Sequence, residues 1–504
     1  AHQYKTLDQL LDAYQGNTRP FKAVQSKPNQ LTQDGSPTSQ IVVQEKISHE
    51  PIAIIGLGCR FPKASSVSDF WNNLKLGKSS IVEVPKQRWN SALFWDPDPK
   101  TPDKSYAKIG GFLTDFTFNS KAFRIPPRVA GHIDPVQQIA LESVAEALED
   151  ANYTKGRDFD RNRVAVILGN SMGGELSDDY TMRSRLPEAL EHLHQIPTFQ
   201  KLSVEEQSEV KSQLLEKYRA ELPAINEDAM PGELANVIAG RVANAFNFNG
   251  PNYTVDAACA SSMAAVQAAV KGLRDKEFDM AVTGGADRSM GVATYVKFSK
   301  IGALSANISA PFDERASGFV MGEGCGIMLL KRLSDAQKDG DKIYAVIRGV
   351  GASSDGKGKG ITAPNPVGQR LALERAYAQA EIDPKDVELF ECHGTSTVVG
   401  DKIEVETLAK FLRDRSKQSA TANIGSVKSN IGHLKSAAGA ASLIKTALAI
   451  HHNQKPPSIN FSNPRSDVQF DGLTVQQELS DWKSAHRCAG VSAFGFGGTN
   501  ATLV

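Results

Sequence analysis

The chain has 504 residues, 57 basic against 57 acidic side chains, 40% hydrophobic and 23% charged residues, which is enough for two packed cores and too apolar for disorder throughout. A formal net charge of zero removes the global field that would draw it onto nucleic acid or anionic lipid, so partners must be recognised locally. Cys59, Cys259, Cys325, Cys392 and Cys488 form an odd, dispersed set with no CxxC pair, which argues against a disulfide framework and a zinc ribbon and for a reducing cytoplasm.

The opening AHQYKTLDQLLDAYQ lacks the basic-then-apolar order of a signal peptide. Leu7, Leu10, Leu11 and Tyr14 recur at helical spacing behind Thr6 and predict a short amphipathic helix. Residues 16 to about 49 are rich in Gln, Ser, Thr, Pro and Lys and read as a linker, so 1–49 is an N-terminal segment and disordered linker. Further on, the longest apolar tracts follow Cys259 and run from Ala437 to Ile450, the latter broken by Lys445, and neither predicts a membrane span.

From Pro51 short Val/Ile-rich runs ending in glycines alternate with helical stretches, the pattern of a layered α/β protein. The runs echo one another. IAIIGLGCRF (52–61) is matched by YAVIRGVGASSD (344–355), and VAVILGNSMGG (164–174) by VELFECHGTST (387–397). YTVDAACASSMAAVQAAVKGL (253–273) is matched by ANIGSVKSNIGHLKSAAGAASLIKTAL (422–448), and DMAVTGGADRS (279–289) by AGVSAFGFGGTN (489–500). Four matches in one order predict a duplicated β/α unit with its seam near residue 340, dividing 50–340 from 341–504.

One stretch, 175–233, interrupts the echo as a charged insertion. Within it Ser203 and Glu206 stand at capping-box spacing before a helix carrying Val210, Leu214 and Tyr218 on one stripe, a predicted surface helix.

The candidate chemistry sits at strand ends. Cys259 follows the apolar run YTVDAAC, expected as a buried strand, and opens the small-residue helix ASSMAAVQAAVKGL. A thiol at a helix start is expected to have its pKa lowered by the unpaired N–H groups and aligned peptide dipoles. His393 follows the strand VELFEC, and His433 lies at another strand-to-helix junction, in GSVKSNIGHLKSAAGAA. If the duplicated halves face each other, these three loops converge. A Cys/His set then admits two chemistries: hydrolysis of an acyl or peptide bond, or an acyl-cysteine beside two imidazoles that donate N–H bonds to a thioester oxygen and stabilise an enolate. The loop SAFGFGGTNA (492–501) offers backbone N–H groups around Phe496 for an oxyanion hole. A phosphate cradle is the competing reading, but no Lys-Ser/Thr pair follows the glycines.

Taken together these motifs resemble the β-ketoacyl synthases, the condensing enzymes of fatty-acid and polyketide assembly, over roughly residues 50–504. DAACASS resembles their nucleophile motif, HGTST with Gly400, Asp401 and Glu404 the first histidine motif, KSNIGH the lysine and second-histidine motif, and GFGGTN the closing loop. The resemblance implies a thiolase-like duplicated five-layer αβαβα fold that dimerises. It implies Cys259 as acyl acceptor, His393 and His433 as the decarboxylation pair, and Phe496 as gate and oxyanion contributor. Lys428, Asp401, Glu404 and Glu323 would support them. No bound metal or cofactor is implied; the phosphopantetheine comes with an acyl carrier protein partner, and the chain would be one domain of a larger cytoplasmic synthase. Ser317 stands where an Asp is common, and Ser396 where modular polyketide enzymes usually carry Gly. The insertion and GKGKGITAPNP (356–366) look more like iterative synthases of polyunsaturated fatty acids, enediynes or glycolipid chains. A non-condensing scaffold would lack the nucleophile or a histidine. A coenzyme A thiolase would carry a second cysteine near the final glycines, and SAFGFGGTN has none.

Overall fold

The computed structural model describes residues 49–154, 156–358, 360–416 and 421–504. The helix expected behind Thr6 and the linker as far as residue 48 lie outside the described residues. Strand β1 (Ile52–Arg60) illustrates how the core is built. Its Ile52, Ile54, Leu57 and Cys59 join one apolar cluster while Ala53 and Ile55 join another, and a register shift between Ile54 and Gly56 accommodates both sets. Burial on both faces is why such strands read as continuous apolar runs.

Two six-stranded sheets follow. The first contains β1, β2 (Val164–Gly169), β3 (Asn252–Val255), β4 (Met280–Asp287), β5 (Gly324–Arg332) and β6 (Ala345–Ile347), in the order β3-β2-β4-β5-β1-β6. The second contains β7 (Val350–Ser354), β8 (Leu389–Glu391), β9 (Ala422–Gly425), β10 (Leu473–Val475), β11 (Ala489–Gly495) and β12 (Thr499–Leu503), in the order β10-β9-β8-β11-β12-β7. Five strands of each sheet correspond in order and direction, β3-β2-β4-β5-β1 and β9-β8-β11-β12-β7, with two parallel pairings followed by two antiparallel ones. The four sequence echoes therefore correspond to β1/β7, β2/β8, β3/β9 and β4/β11. A fifth pair, β5/β12, was not visible in the sequence. β6 hydrogen-bonds to β1 of the first sheet, so the chain passes to the second sheet at Arg348–Gly349, a few residues beyond the expected seam.

Helices α1 (Pro135–Asp150) and α4 (Ala235–Phe246) cover the outer face of the first sheet, with α2 (Leu176–Glu191) and α3 (Val204–Glu221) between them in the chain. α5 (Ser261–Arg274) and α8 (Ala438–His452) are packed between the two sheets, and α6 (Pro366–Ala380) and α7 (Val398–Arg415) cover the outer face of the second. The result is an αβαβα sandwich. Ala-rich α5 and α8 suit the middle layer because short side chains let helices approach closely. Lys445, which interrupts the apolar run of α8, is buried and neutralised by Glu391 at 2.7 Å. In the insertion, α3 has the expected capping box between Ser203 and Glu206 and buries none of its residues. Among the described residues no helix is long and apolar enough to cross a membrane.

Candidate active site

Cys259 stands in a short 3₁₀ turn, Ala258–Ala260, between β3 and α5. The strand before it departs from expectation: β3 is an edge strand with Tyr253 41% exposed, because among the described residues it pairs only with β2. Ala258 has φ 50°, a left-handed conformation that costs a non-glycine residue about 1–2 kcal/mol. Local hydrogen bonds hold it there. Asp256 accepts from the Ala258 N–H at 2.9 Å, and Ser261 Oγ accepts from the Ala257 N–H at 2.9 Å while donating to the Ala258 carbonyl at 2.6 Å.

The lowered thiol pKa expected from the helix start is not found. Burial pushes the Cys259 thiol up, outweighing the Phe496 backbone N–H aimed at the sulfur and the charge of Lys428, both of which pull it down. Desolvation disfavours the charged form of a buried thiol.

Phe496, Gly497 and Gly498 form the three-residue loop joining β11 to β12. Gly497 and Gly498 have φ 105° and 93°, values that glycine adopts readily. Gly495 serves a different end: a Cβ there would stand 2.2 Å from the Ala257 carbonyl oxygen, so its absence lets the loop lie against the cysteine turn. The Phe496 side chain is half exposed.

The histidine loops come from the second sheet. His393 follows β8, and both oxygens of Glu404 accept backbone bonds from that loop, from His393 N–H and Gly394 N–H at 2.7 Å each. Asp401 accepts the Phe312 N–H at 2.8 Å. Burial raises both carboxyls, Asp401 to about 6. Ser396 has φ 66°, a left-handed conformation, and its hydroxyl offsets the strain by accepting the Ala310 N–H at 3.0 Å.

His433 lies after β9. Its Nδ1 accepts the Lys435 backbone N–H at 3.0 Å, which assigns the ring proton to Nε2. Lys435 is itself buried against Asp287 at 2.9 Å and donates to the Gly322 carbonyl at 2.8 Å. The two imidazoles stand edge to face with centroids 5.4 Å apart, flanked by Phe494 on His393 and Phe319 on His433. Burial, helped by the charge of Lys428, holds both rings well below the ordinary histidine pKa, so they are neutral. Lys428 is buried, and that burial pulls its own pKa down against the carboxylates of Glu391 and Glu404.

Cys259, His393, His433, Glu404 and Phe496 line one cavity of about 370 Å³. Lys428 and Asp401 are buried and are not among the lining residues. Glu323 is not a lining residue either: its carboxylate is gripped by Arg88 at 2.8 and 2.9 Å, and Arg88 also binds Glu175 at the root of the insertion. Phe319, Phe494 and Gln369 also line the cavity, and sequence reasoning did not single them out. The phenylalanines lie within GFVMGEG and SAFGFGGTN, but their direction depends on strand register. Among the described residues no group of His, Cys, Asp and Glu is placed to hold a metal ion.

Comparison with known proteins agrees with this geometry. Residues 49–336 match the family description "Beta-ketoacyl synthase, N-terminal domain" and residues 344–462 its C-terminal domain. A polyunsaturated fatty acid synthase from Thraustochytrium sp. is 37% identical over 89% of this chain, and a phenolphthiocerol/phthiocerol polyketide synthase from Mycobacterium bovis is 37% identical over 90%. The chain spans only 16% and 23% of the length of those polypeptides. Among solved structures, the oxazolomycin ketosynthase domain of Streptomyces albus JA3453 is 33% identical with a TM-score of 0.75, covering 90% of this chain and 74% of that one. The ketosynthase from module 6 of the bacillaene synthase of Bacillus subtilis 168 is 31% identical with a TM-score of 0.74, covering 90% and 71%. Fold, strand-end loops and sequence thus agree, and the chain belongs to the β-ketoacyl synthase family.

Proposed function

We propose that this chain is a ketosynthase domain that joins a cysteine-bound acyl group to a malonyl-type unit by decarboxylative Claisen condensation. The observation that carries this reading is the single cavity lined by a thiol and two neutral imidazoles set edge to face.

In the first step the Cys259 sulfur attacks the thioester of an acyl group on the phosphopantetheine arm of an acyl carrier protein. The acyl–sulfur bond to the arm breaks, and the arm leaves as a thiol carrying the Cys259 proton. In the second, a malonyl thioester loses carbon dioxide, and the electron pair of the broken carbon–carbon bond passes into an enolate. His393 and His433 donate N–H bonds to the enolate oxygen, each such donor being worth about 3–4 kcal/mol at the transition state. The enolate carbon attacks the acyl-cysteine carbonyl, whose oxygen faces the N–H groups of Cys259 and Phe496. The carbon–sulfur bond then breaks to release a β-ketoacyl thioester, and the Cys259 thiolate so formed takes a proton from water. The Phe496 side chain acts as a gate. Lys428, Asp401 and Glu404 orient the histidine loops, and Glu323 braces the turn beneath His433.

The acyl and malonyl groups arrive on carrier proteins, and the chain works as part of a larger synthase in the cytoplasm. β3 supports a homodimer: among the described residues it is an edge of the first sheet, and an edge strand is a template for pairing with a second copy.

The test is intact-protein mass spectrometry after incubation with acyl thioesters, with carbon dioxide release from malonyl carrier protein measured in parallel. A mass increase that vanishes in Cys259→Ala supports the reading; an undiminished increase in that variant overturns it.

A further inference from the structure

Gln369 lies in the first turn of α6, behind the cap in which Asn365 accepts the Val367 N–H. It lines the same cavity as Cys259 and the two histidines, yet it is only 2% exposed and its Oε1 has no hydrogen-bond partner among the described residues. A buried carboxamide oxygen without a partner is costly, and native proteins seldom leave one unless water or a ligand completes it.

The surroundings are already paired. Asn500 donates to Asp355 Oδ1 at 2.7 Å, Asn365 to the Asp355 carbonyl at 2.8 Å, and Ser353 to the Gly368 carbonyl at 2.6 Å. The backbone beside Gln369 is fixed as well: a Cβ on Gly368 would stand 2.3 Å from Asp355 Oδ1 and 2.7 Å from Asn500 Nδ2. Ile301, Ile361, Val399 and Phe494 make other parts of the lining apolar. A carboxamide oxygen without a partner, held on a rigid and largely apolar wall, is the arrangement by which a pocket fixes ligand orientation.

We infer that Gln369 is a specificity-determining residue whose carboxamide hydrogen-bonds a polar group that the thioester ligand carries away from its reacting carbon. The inference rests on the thioester reading above. The group has two possible sources, a hydroxyl on the acyl chain or the outer amide of the pantetheine arm.

Four probes separate them: butanoyl and 3-hydroxybutanoyl groups, each carried on pantetheine and on N-acetylcysteamine, which lacks the outer amide of the arm. The rate constant for acylation of Cys259 is read by intact mass in wild type, Gln369→Met and Gln369→Glu. Loss of about tenfold in Gln369→Met confined to the 3-hydroxy probes on both carriers assigns Gln369 to the acyl chain. The same loss confined to the pantetheine probes, whatever the acyl group, assigns it to the arm. A factor equal across all four probes, or no change, overturns the inference, because a merely structural residue does not discriminate among ligands. Gln369→Glu, nearly the same size, is judged by the same ratios should the methionine variant not fold. No acylation of the wild type by any probe removes the thioester reading itself.

Discussion

Both oxygens of Glu404 accept backbone hydrogen bonds from the His393 loop, one from His393 itself and one from Gly394, each at 2.7 Å. Glu404 thus sets the height at which the imidazole meets the cavity. Glu404→Ala strands two N–H groups beneath the site, at about 1–3 kcal/mol each. The expected result is a lower melting temperature and a loss of decarboxylation larger than the loss of acylation, measured as carbon dioxide release against mass labelling.

The two histidines share one proposed task, distinct from that of the thiol. His393→Ala and His433→Ala should each retain acylation of Cys259 while lowering carbon dioxide release from malonyl carrier protein by about a hundredfold or more. Lost acylation with surviving decarboxylation would reverse the roles.

Burial raises the Cys259 thiol above its ordinary value. Because the thiolate is the attacking form, acylation should climb steadily between about pH 7 and about pH 9 without levelling off. The histidines are held well below their ordinary 6.5, so a pH profile of decarboxylation should show no break there from imidazole titration.

Asp401 is raised from 3.8 to about 6 by burial. The folded form therefore holds its proton more tightly than the unfolded chain does. Its stabilising contribution is complete below 3.8 and is lost as the pH rises through about 6. Over that window wild-type unfolding free energy should fall relative to Asp401→Asn by at most about 3 kcal/mol, measured by urea titration at several pH values.

A Cβ at residue 495 would meet the Ala257 carbonyl at 2.2 Å. Gly495→Ala should push the Phe496 loop off the cysteine turn and slow acylation by about tenfold or more, with a smaller effect on decarboxylation. Mass labelling timed against wild type checks this.

Much of this architecture was legible because a strand buried on both faces leaves a dense apolar run, and four such runs recurred in order. The fifth pair stayed hidden: GCGIMLLKR and TNATL share direction and neighbours but almost no residue types. The exposure of β3 depends on which strands pair beside it, which YTVDAAC does not disclose. The thiol pKa was misjudged because the dipole of a helix start can be inferred locally, whereas desolvation is imposed by residues far away in the chain. The left-handed Ala258 left no mark, since alanine is an unusual choice there. The left-handed Ser396, φ 66°, is likewise set by its place in the folded loop rather than by its residue type.

The duplicated sheets divide the site unevenly: the sulfur hangs from the first copy and both imidazole rings from the second, with the crossing at Arg348–Gly349. Severing the polypeptide at that crossing would leave each fragment with a complete five-stranded repeat but an incomplete reaction centre. Mixing the two fragments would then be a complementation assay, in which recovered turnover reports directly on how faithfully the ancestral repeats re-associate.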